Sequence, residues 1–75
     1  MSYDREKAKE LVLALMYLGV HERYRTWKSF DWEVMDQLYE EGLISDPKRR
    51  AKSVVLTEEG LARSEAMFKK YLAPG

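Results

Sequence analysis

The chain contains 75 residues with no Cys and a single His, and its 13 basic residues balance its 13 acidic residues. This length supports one domain at most, so we expect residues 1–75 to form a single small domain. The composition excludes disulfides and argues against a structural zinc site, which prefers four Cys or His ligands. A net charge of zero also removes any global attraction to nucleic acid or anionic lipid, so attraction must come from local charge asymmetry.

The hydropathy pattern argues against a membrane protein. The longest apolar run covers residues 11–18, whereas a helix that spans a bilayer needs about 20 apolar residues. The first residues are charged and lack the pattern of a signal peptide. We therefore expect a cytoplasmic protein without membrane contact.

The first predicted helix covers residues 4–18. Ser2 or Asp4 can cap its N–H groups, and we expect Gly19 to end it in the left-handed conformation. Its second half is apolar nearly all round, which is typical of a helix covered on most sides. Either this helix is the centre of the core, or one of its faces belongs to a partner chain. Because so small a domain without disulfides or metals needs further stabilisation, we expect a homo-oligomer.

A basic and aromatic connector without clear periodicity covers residues 20–29, and the second predicted helix covers residues 31–41. Asp31 is the expected N-cap, with Ser29 as the alternative, and Gly42 ends the helix. Helical spacing turns four apolar residues of this helix toward the core. They are Val34, Met35, Leu38 and Tyr39.

The second half of the chain predicts two short strands and a final helix. Leu43-Ile44 begins the first strand, Asp46-Pro47 marks a turn, and residues 53–57 form the return strand, which is rich in β-branched residues. Thr57 caps the final helix, in which Gly60 predicts a close backbone contact. The apolar stripe of that helix consists of Leu61, Phe68, Tyr71 and Leu72.

The predicted fold class is α+β, with three helices and a two-stranded β-hairpin. The hairpin has to lie on the helices, because two strands alone are not stable in water. The residues that we expect to be buried in the shared core are Leu15, Leu38, Leu56 and Phe68.

Two resemblances follow from particular motifs. Leu43-Ile44, a basic loop, and then Leu-Thr-Glu-Glu-Gly at residues 56–60 resemble the wing and the following helix of bacterial winged-helix regulators. This resemblance implies a winged-helix-like fold and raises the question of DNA binding. The whole chain, with Trp27-Lys28 before Asp31-Trp32, is also similar to a family of short bacterial proteins of unknown function, which implies no activity.

The helix before the predicted wing differs from those that read DNA. In DNA-binding members of the winged-helix class this helix enters the major groove, where Arg, Lys, Asn or Gln contact the bases. Here it carries no Lys or Arg, and Gln37 is its one base-reading residue. Its acidic residues are Asp31, Glu33, Asp36, Glu40 and Glu41. The standard docking geometry is therefore not expected.

Seven basic residues form the candidate site for nucleic acid or an acidic partner. The wing contributes Lys48, Arg49, Arg50 and Lys52, and the connector contributes Arg23, Arg25 and Lys28. Interleaved aromatic and basic residues can stack on bases or anchor an interface. The alternative is that the basic loop only protects the hairpin edge and that Trp27 and Phe30 cover the core.

No motif indicates catalysis. His21 has no Ser or Cys partner in a recognisable motif, and the chain has no glycine-rich phosphate loop. We therefore expect no enzymatic activity and no cofactor. The leading hypothesis is a non-catalytic binding or interaction module that self-associates and whose binding partner is unassigned. The alternative is a DNA-binding transcriptional regulator that contacts DNA through the basic wing and the connector.

Overall fold

The computed structural model describes residues 3–48 and 52–74, except for the side chain of Arg23. The helices are α1 (Arg5–Leu18), α2 (Trp32–Glu40) and α3 (Glu58–Tyr71), and the strands are β1 (Arg25–Thr26) and β2 (Val54–Val55). A short 3-10 turn, Glu22–Tyr24, precedes β1. The predicted α+β class, with three helices and a two-stranded antiparallel sheet, is confirmed. Within the described ranges, no helix is long and apolar enough to cross a membrane.

Each helix begins at a side chain that caps its first turn. Asp4 accepts a hydrogen bond from the backbone N–H of Lys7 at 3.1 Å, and Asp31 accepts one from Val34 at 3.3 Å. Thr57 accepts one from Gly60 at 2.9 Å. These bonds satisfy N–H groups that have no partner inside a helix, and they confirm all three predicted caps. Ser2, the alternative cap of α1, lies outside the described residues.

The strand pairing differs from the predicted hairpin. β1 lies antiparallel to β2, with Arg25 opposite Val55 and Thr26 opposite Val54, although the connector showed no strand pattern in the sequence. The predicted partner, Leu43-Ile44, contributes one antiparallel bridge, from Ile44 to Leu56. The return strand therefore has the connector on one side and the start of the wing on the other.

Thr26 attaches this small sheet to α1. Its side chain is completely buried, and its hydroxyl donates a hydrogen bond to the carbonyl of Met16 at 2.6 Å. A buried hydroxyl needs such a partner, because an unpaired one costs about 1–3 kcal/mol. This bond fixes the short strand β1 to the end of α1.

The core lies where α1, α2 and the sheet meet. Its buried members are Leu13, Met16, Val34, Met35, Leu38, Leu43, Ile44, Val54 and Leu56. The predicted burial of Leu38 and Leu56 is confirmed. Phe68 is only partly buried, because it packs at the edge between α1 and α3, where its ring centroid lies 5.3 Å from that of Tyr17.

Three predicted core residues are exposed instead. Leu15 lies on the outer side of α1, in line with Leu11 and Leu18, whereas Leu13 and Met16 take the inner side. Tyr39 and Leu72 are also exposed. Apolar character did not distinguish the two sides of α1, so the choice of Leu15 for the core was wrong.

Two glycines allow close approaches. A Cβ on Gly60 would lie 1.9 Å from the carbonyl oxygen of Leu43, which confirms the predicted backbone contact between α3 and the chain after α2. Gly19 has φ −94° and is not left-handed as expected. It is required for another reason, since a Cβ there would lie 2.7 Å from the ring of Trp27.

Replacing Leu38 by Ala tests the position of the core. We expect the free energy of unfolding to fall by about 2–5 kcal/mol, because the truncation removes buried contacts and leaves a cavity. The neighbouring Tyr39→Ala change removes an exposed ring and should cost less than about 1 kcal/mol. Urea denaturation followed by circular dichroism measures both. Equal midpoint shifts for the two variants would contradict the assigned core.

Candidate functional site

The sheet brings the basic connector beside the basic wing. Because β1 and β2 are antiparallel, the chain leaving β1 and the chain entering β2 lie at the same end of the sheet. Lys28 follows Thr26 by two residues, and Lys52 precedes Val54 by two residues. The register therefore places two predicted site residues, far apart in sequence, at one end of the sheet.

The described members of the predicted site differ in their environment. Arg25, Lys48 and Lys52 are exposed, and Lys28 is half-buried. The backbone N–H of Lys48 donates to the side chain of Asp46 at 2.9 Å, which fixes the turn at the start of the wing. Arg23 contributes its backbone to the 3-10 turn. Arg49 and Arg50 lie outside the described residues, as does the side chain of Arg23.

The aromatic residues of the connector divide into a covered ring and an open one. Phe30 is half-buried and packs against the core, as expected for a residue that covers it. Trp27 leans on Gly19 but keeps 49% of its surface exposed. Trp27 therefore covers the end of α1 with part of its surface, as expected for a residue that covers the core, and the rest of its surface stays exposed.

Tyr24 has an uncommon backbone conformation that the sequence did not reveal. Its φ is +66°, in the left-handed region, which costs a non-glycine residue about 1–3 kcal/mol. Its N–H donates to His21 at 3.1 Å, and its carbonyl accepts from Leu56 at 2.9 Å. These bonds hold the bend that leads the chain into β1, while the side chain stays exposed.

The acidic residues of α2 contribute to a second surface. An open cleft lies between the first turns of α1 and the outer side of α2. The carboxylates that line it come from Glu6, Glu33, Asp36 and Glu40. Arg5 partly neutralises them through an ion pair with Glu33 at 2.8 Å. Within the part of the chain that the structure describes, no group of three or more metal-ligating side chains is arranged to hold an ion.

Lys9 is a buried cation that the sequence analysis did not single out. Its ammonium group forms ion pairs with Glu41 and, at 3.1 Å, with Glu6. The hydrogen bond to Glu41 raises the pKa of Lys9 above its usual 10.5, although burial opposes this shift. Lys9 therefore supplies a permanent positive charge at neutral pH, whereas a lysine that acts as a base needs a lowered pKa. Its position one turn before Leu13 on the buried side of α1 was the available signal.

Comparison with known proteins shows the family of this chain. A family described as Domain of unknown function (DUF6429) matches residues 4–74, and the chain belongs to it. The uncharacterized protein y4hR of Sinorhizobium fredii (strain NBRC 101917 / NGR234) is 49% identical over 70 residues, which cover 93% of this chain and 95% of that protein. No solved structure matches the chain. The predicted resemblance to a bacterial family of unknown function is confirmed, and the winged-helix resemblance stays a prediction.

Replacing Lys9 by Met tests the buried ion pairs. We expect a loss of about 1–3 kcal/mol in the free energy of unfolding at pH 7, since Glu41 loses its partner in a partly buried place. Because the folded pKa of Lys9 is raised, its contribution is complete below the unfolded pKa near 10.5 and disappears as the pH rises through the folded value. The difference between wild type and Lys9→Met should therefore be constant from about pH 7 to 10 and narrow above that range.

The control for this experiment is Lys7→Met, which changes an exposed lysine of the same helix. We expect its effect on urea denaturation to stay below about 0.5 kcal/mol at every pH. A Lys9→Met variant as stable as Lys7→Met would show that the ion pairs contribute nothing to stability.

Proposed function

We propose that this member of the DUF6429 family is a non-catalytic interaction module that self-associates through the outer side of α1. One observation carries the proposal. Leu11, Leu15 and Leu18 are 43%, 38% and 57% exposed, and together we call them the leucine stripe. The cytoplasmic location expected from the sequence agrees with such a role and stays a prediction.

The leucine stripe is continuous along the helix. Its members are spaced by four and three residues, the spacing that places side chains on one side of an α-helix. The intervening Leu13, Ala14 and Met16 are buried on the opposite sides. The domain therefore covers α1 on its inner side, and this favours the interpretation in which the outer side belongs to a partner chain.

A second copy of this chain is the partner that the stripe fits. Two copies of α1 packed antiparallel about a two-fold axis would place Leu11 of one copy near Leu18 of the other, with the two Leu15 side chains at the centre. Lys7 continues the stripe toward the N-terminus. In this arrangement its charge would approach the last turn of the other α1, which ends without a basic residue and where the helix dipole favours a cation.

The size of the stripe predicts a weak dimer. Full burial of a leucine contributes about 1.5–3 kcal/mol, so covering the exposed parts of six leucines contributes about 4–8 kcal/mol, from which the entropy cost of association is subtracted. A micromolar complex requires about 8 kcal/mol. We therefore expect a dissociation constant well above micromolar unless other contacts, such as the exposed Leu72 after α3, contribute to the interface.

Self-association can be measured by sedimentation over a concentration series from about 10 μM to about 1 mM, the range in which a complex of about 4–7 kcal/mol dissociates. We expect the average mass to rise toward that of a dimer. Leu15→Glu should abolish this rise, because it places two carboxylates at the centre of the interface.

The matched control is Tyr39→Glu, which adds the same charge at a similarly exposed apolar residue of α2. This variant should associate like wild type. A wild-type mass that stays monomeric across the series, or equal loss of association in both variants, would contradict the proposal.

The second candidate is a DNA-binding regulator with a winged-helix-like arrangement of α2, wing, return strand and α3. The observation that favours it is the β1–β2 register, which brings the basic connector and the basic wing to one end of the sheet. The acidic outer side of α2 argues against insertion of this helix into the major groove, because Glu33, Asp36 and Glu40 would face phosphates there.

A titration of short DNA duplexes at physiological salt distinguishes the two functions. We expect at most weak, non-specific binding that salt abolishes, since base-reading residues are scarce on α2. If the wing neutralises four phosphates through Lys48, Arg49, Arg50 and Lys52, the log–log salt slope should be roughly −3 to −4 and should vanish when these residues are neutralised. Sequence-specific nanomolar binding would instead support the regulator.

A further inference from the structure

We propose that the connector and the exposed side of the sheet bind single-stranded nucleic acid. The surface consists of Arg25, Trp27 and Lys52, with Tyr24 directly before it in the chain, and we call it the stacking surface. It shares no residue with the leucine stripe of α1, so this inference goes beyond self-association and does not depend on it. The ligand is defined by two chemical properties, unpaired bases with open faces and a chain of phosphates.

Trp27 provides an aromatic plane that is held from behind. The ring atoms nearest to the Cβ position of Gly19 include Cδ2 and Cε2, at 2.8 and 2.7 Å. These two atoms form the bond shared by both rings of the indole, so the backbone of Gly19 faces the middle of the plane. About half of the surface of Trp27 is exposed, and we assign this exposure to the opposite face of the ring. A flat ring fixed on one face and open on the other suits base stacking.

Tyr24 adds a second exposed ring on a constrained backbone. Its left-handed conformation is held by hydrogen bonds on both sides of the residue. The ring is 46% exposed, so burial of the side chain does not offset the backbone strain. Strained residues that the surrounding structure holds in place are frequent at binding sites. Tyr24 is therefore a second exposed aromatic residue, three positions before Trp27 in the chain.

Basic residues lie on either side of Trp27 along the sheet. Thr26 is buried, and the alternation of side chains along a strand places Arg25 on the opposite, exposed side. Arg25 lies opposite the exposed Val55. Lys52 lies at the end of the sheet where the backbone leaves β1 through Trp27. Lys48 is exposed at the start of the wing. The charges suit phosphates that follow a strand of bases across the sheet.

Single strands fit this surface better than a duplex or a peptide does. Bases in a duplex are stacked on one another, so they cannot reach the open face of Trp27 without being displaced. The acidic helix α2 is unsuited to insertion into the major groove of a duplex. An acidic peptide would match the charges but gains less from a flat, open ring than a base does, because stacking requires a planar partner.

The first test measures binding of a labelled oligothymidine of about 12 nucleotides by fluorescence anisotropy at low salt. The chain has two Trp residues, which provide a matched pair, since Trp32 is 53% exposed on the first turn of α2. We expect Trp27→Leu to weaken binding by about tenfold to a hundredfold. Leu keeps an apolar contact with Gly19 but cannot stack. Trp32→Leu should change affinity by less than about twofold.

A spectroscopic test reports stacking directly. In a Trp32→Phe variant Trp27 is the remaining Trp, and we expect its fluorescence to be quenched by oligothymidine but not by inorganic polyphosphate, which has the charge without the bases. This readout separates stacking from simple charge attraction. It also excludes a general loss of stability as the cause, because Trp27 is unchanged in this variant.

The charge contribution has its own variants. With Arg25, Lys48 and Lys52 each neutralising a phosphate, the log–log salt slope for a single strand should be about −2. Arg25→Ala and Lys52→Ala should each make it less steep by about 0.7, whereas Lys69→Ala on α3 should leave it unchanged. The inference is overturned if wild type does not bind oligothymidine, if both Trp variants bind alike, or if a duplex of the same length binds as tightly as the single strand.

Discussion

The hydrogen bond from the Thr26 hydroxyl to the carbonyl of Met16 joins the two halves of this domain. It lies in a fully buried place, where a lost partner costs more than a typical surface contact contributes. By fixing β1 against the end of α1, it determines which residues of the connector face outward. The sheet can then pair Arg25 with Val55, and the indole of Trp27 can rest on Gly19. The proposed stacking surface depends on the orientation that this bond imposes.

Chain length is the second constraint. A domain of 75 residues buries a smaller share of its surface than a large one, and here α3 and the core cover only the inner side of α1. The backbone contact at Gly60 brings α3 close to Leu43, and among the described elements none covers Leu11, Leu15 and Leu18 on the outer side of α1. The leucine stripe is the consequence. A second copy of the same chain would cover it without requiring any further element.

Charge is distributed unevenly although its sum is zero. Acidic side chains gather in the open cleft beside α2, whereas Arg25, Lys48 and Lys52 are exposed around the sheet and at the start of the wing. Such separation matters for binding because surface charges are screened beyond about 10 Å in ordinary salt. A polyanion at the stacking surface would therefore respond mainly to the nearby basic residues. The neutral composition alone gave no indication of this.

The sequence by itself determined the three helices, their caps and the return strand. Asp4, Asp31 and Thr57 cap their helices through local bonds that span three residues, and Gly60 marked a close contact, so the α+β class and the burial of Leu38 and Leu56 could be predicted. Only the tertiary structure decided which side of α1 faces inward, because Leu13 and Leu15 are chemically identical. It also decided that the connector pairs with the return strand, since a two-residue strand has no periodicity and depends on the distant Met16. The candidate residues could thus be named from the sequence, but their arrangement arises from long-range contacts that no local pattern encodes.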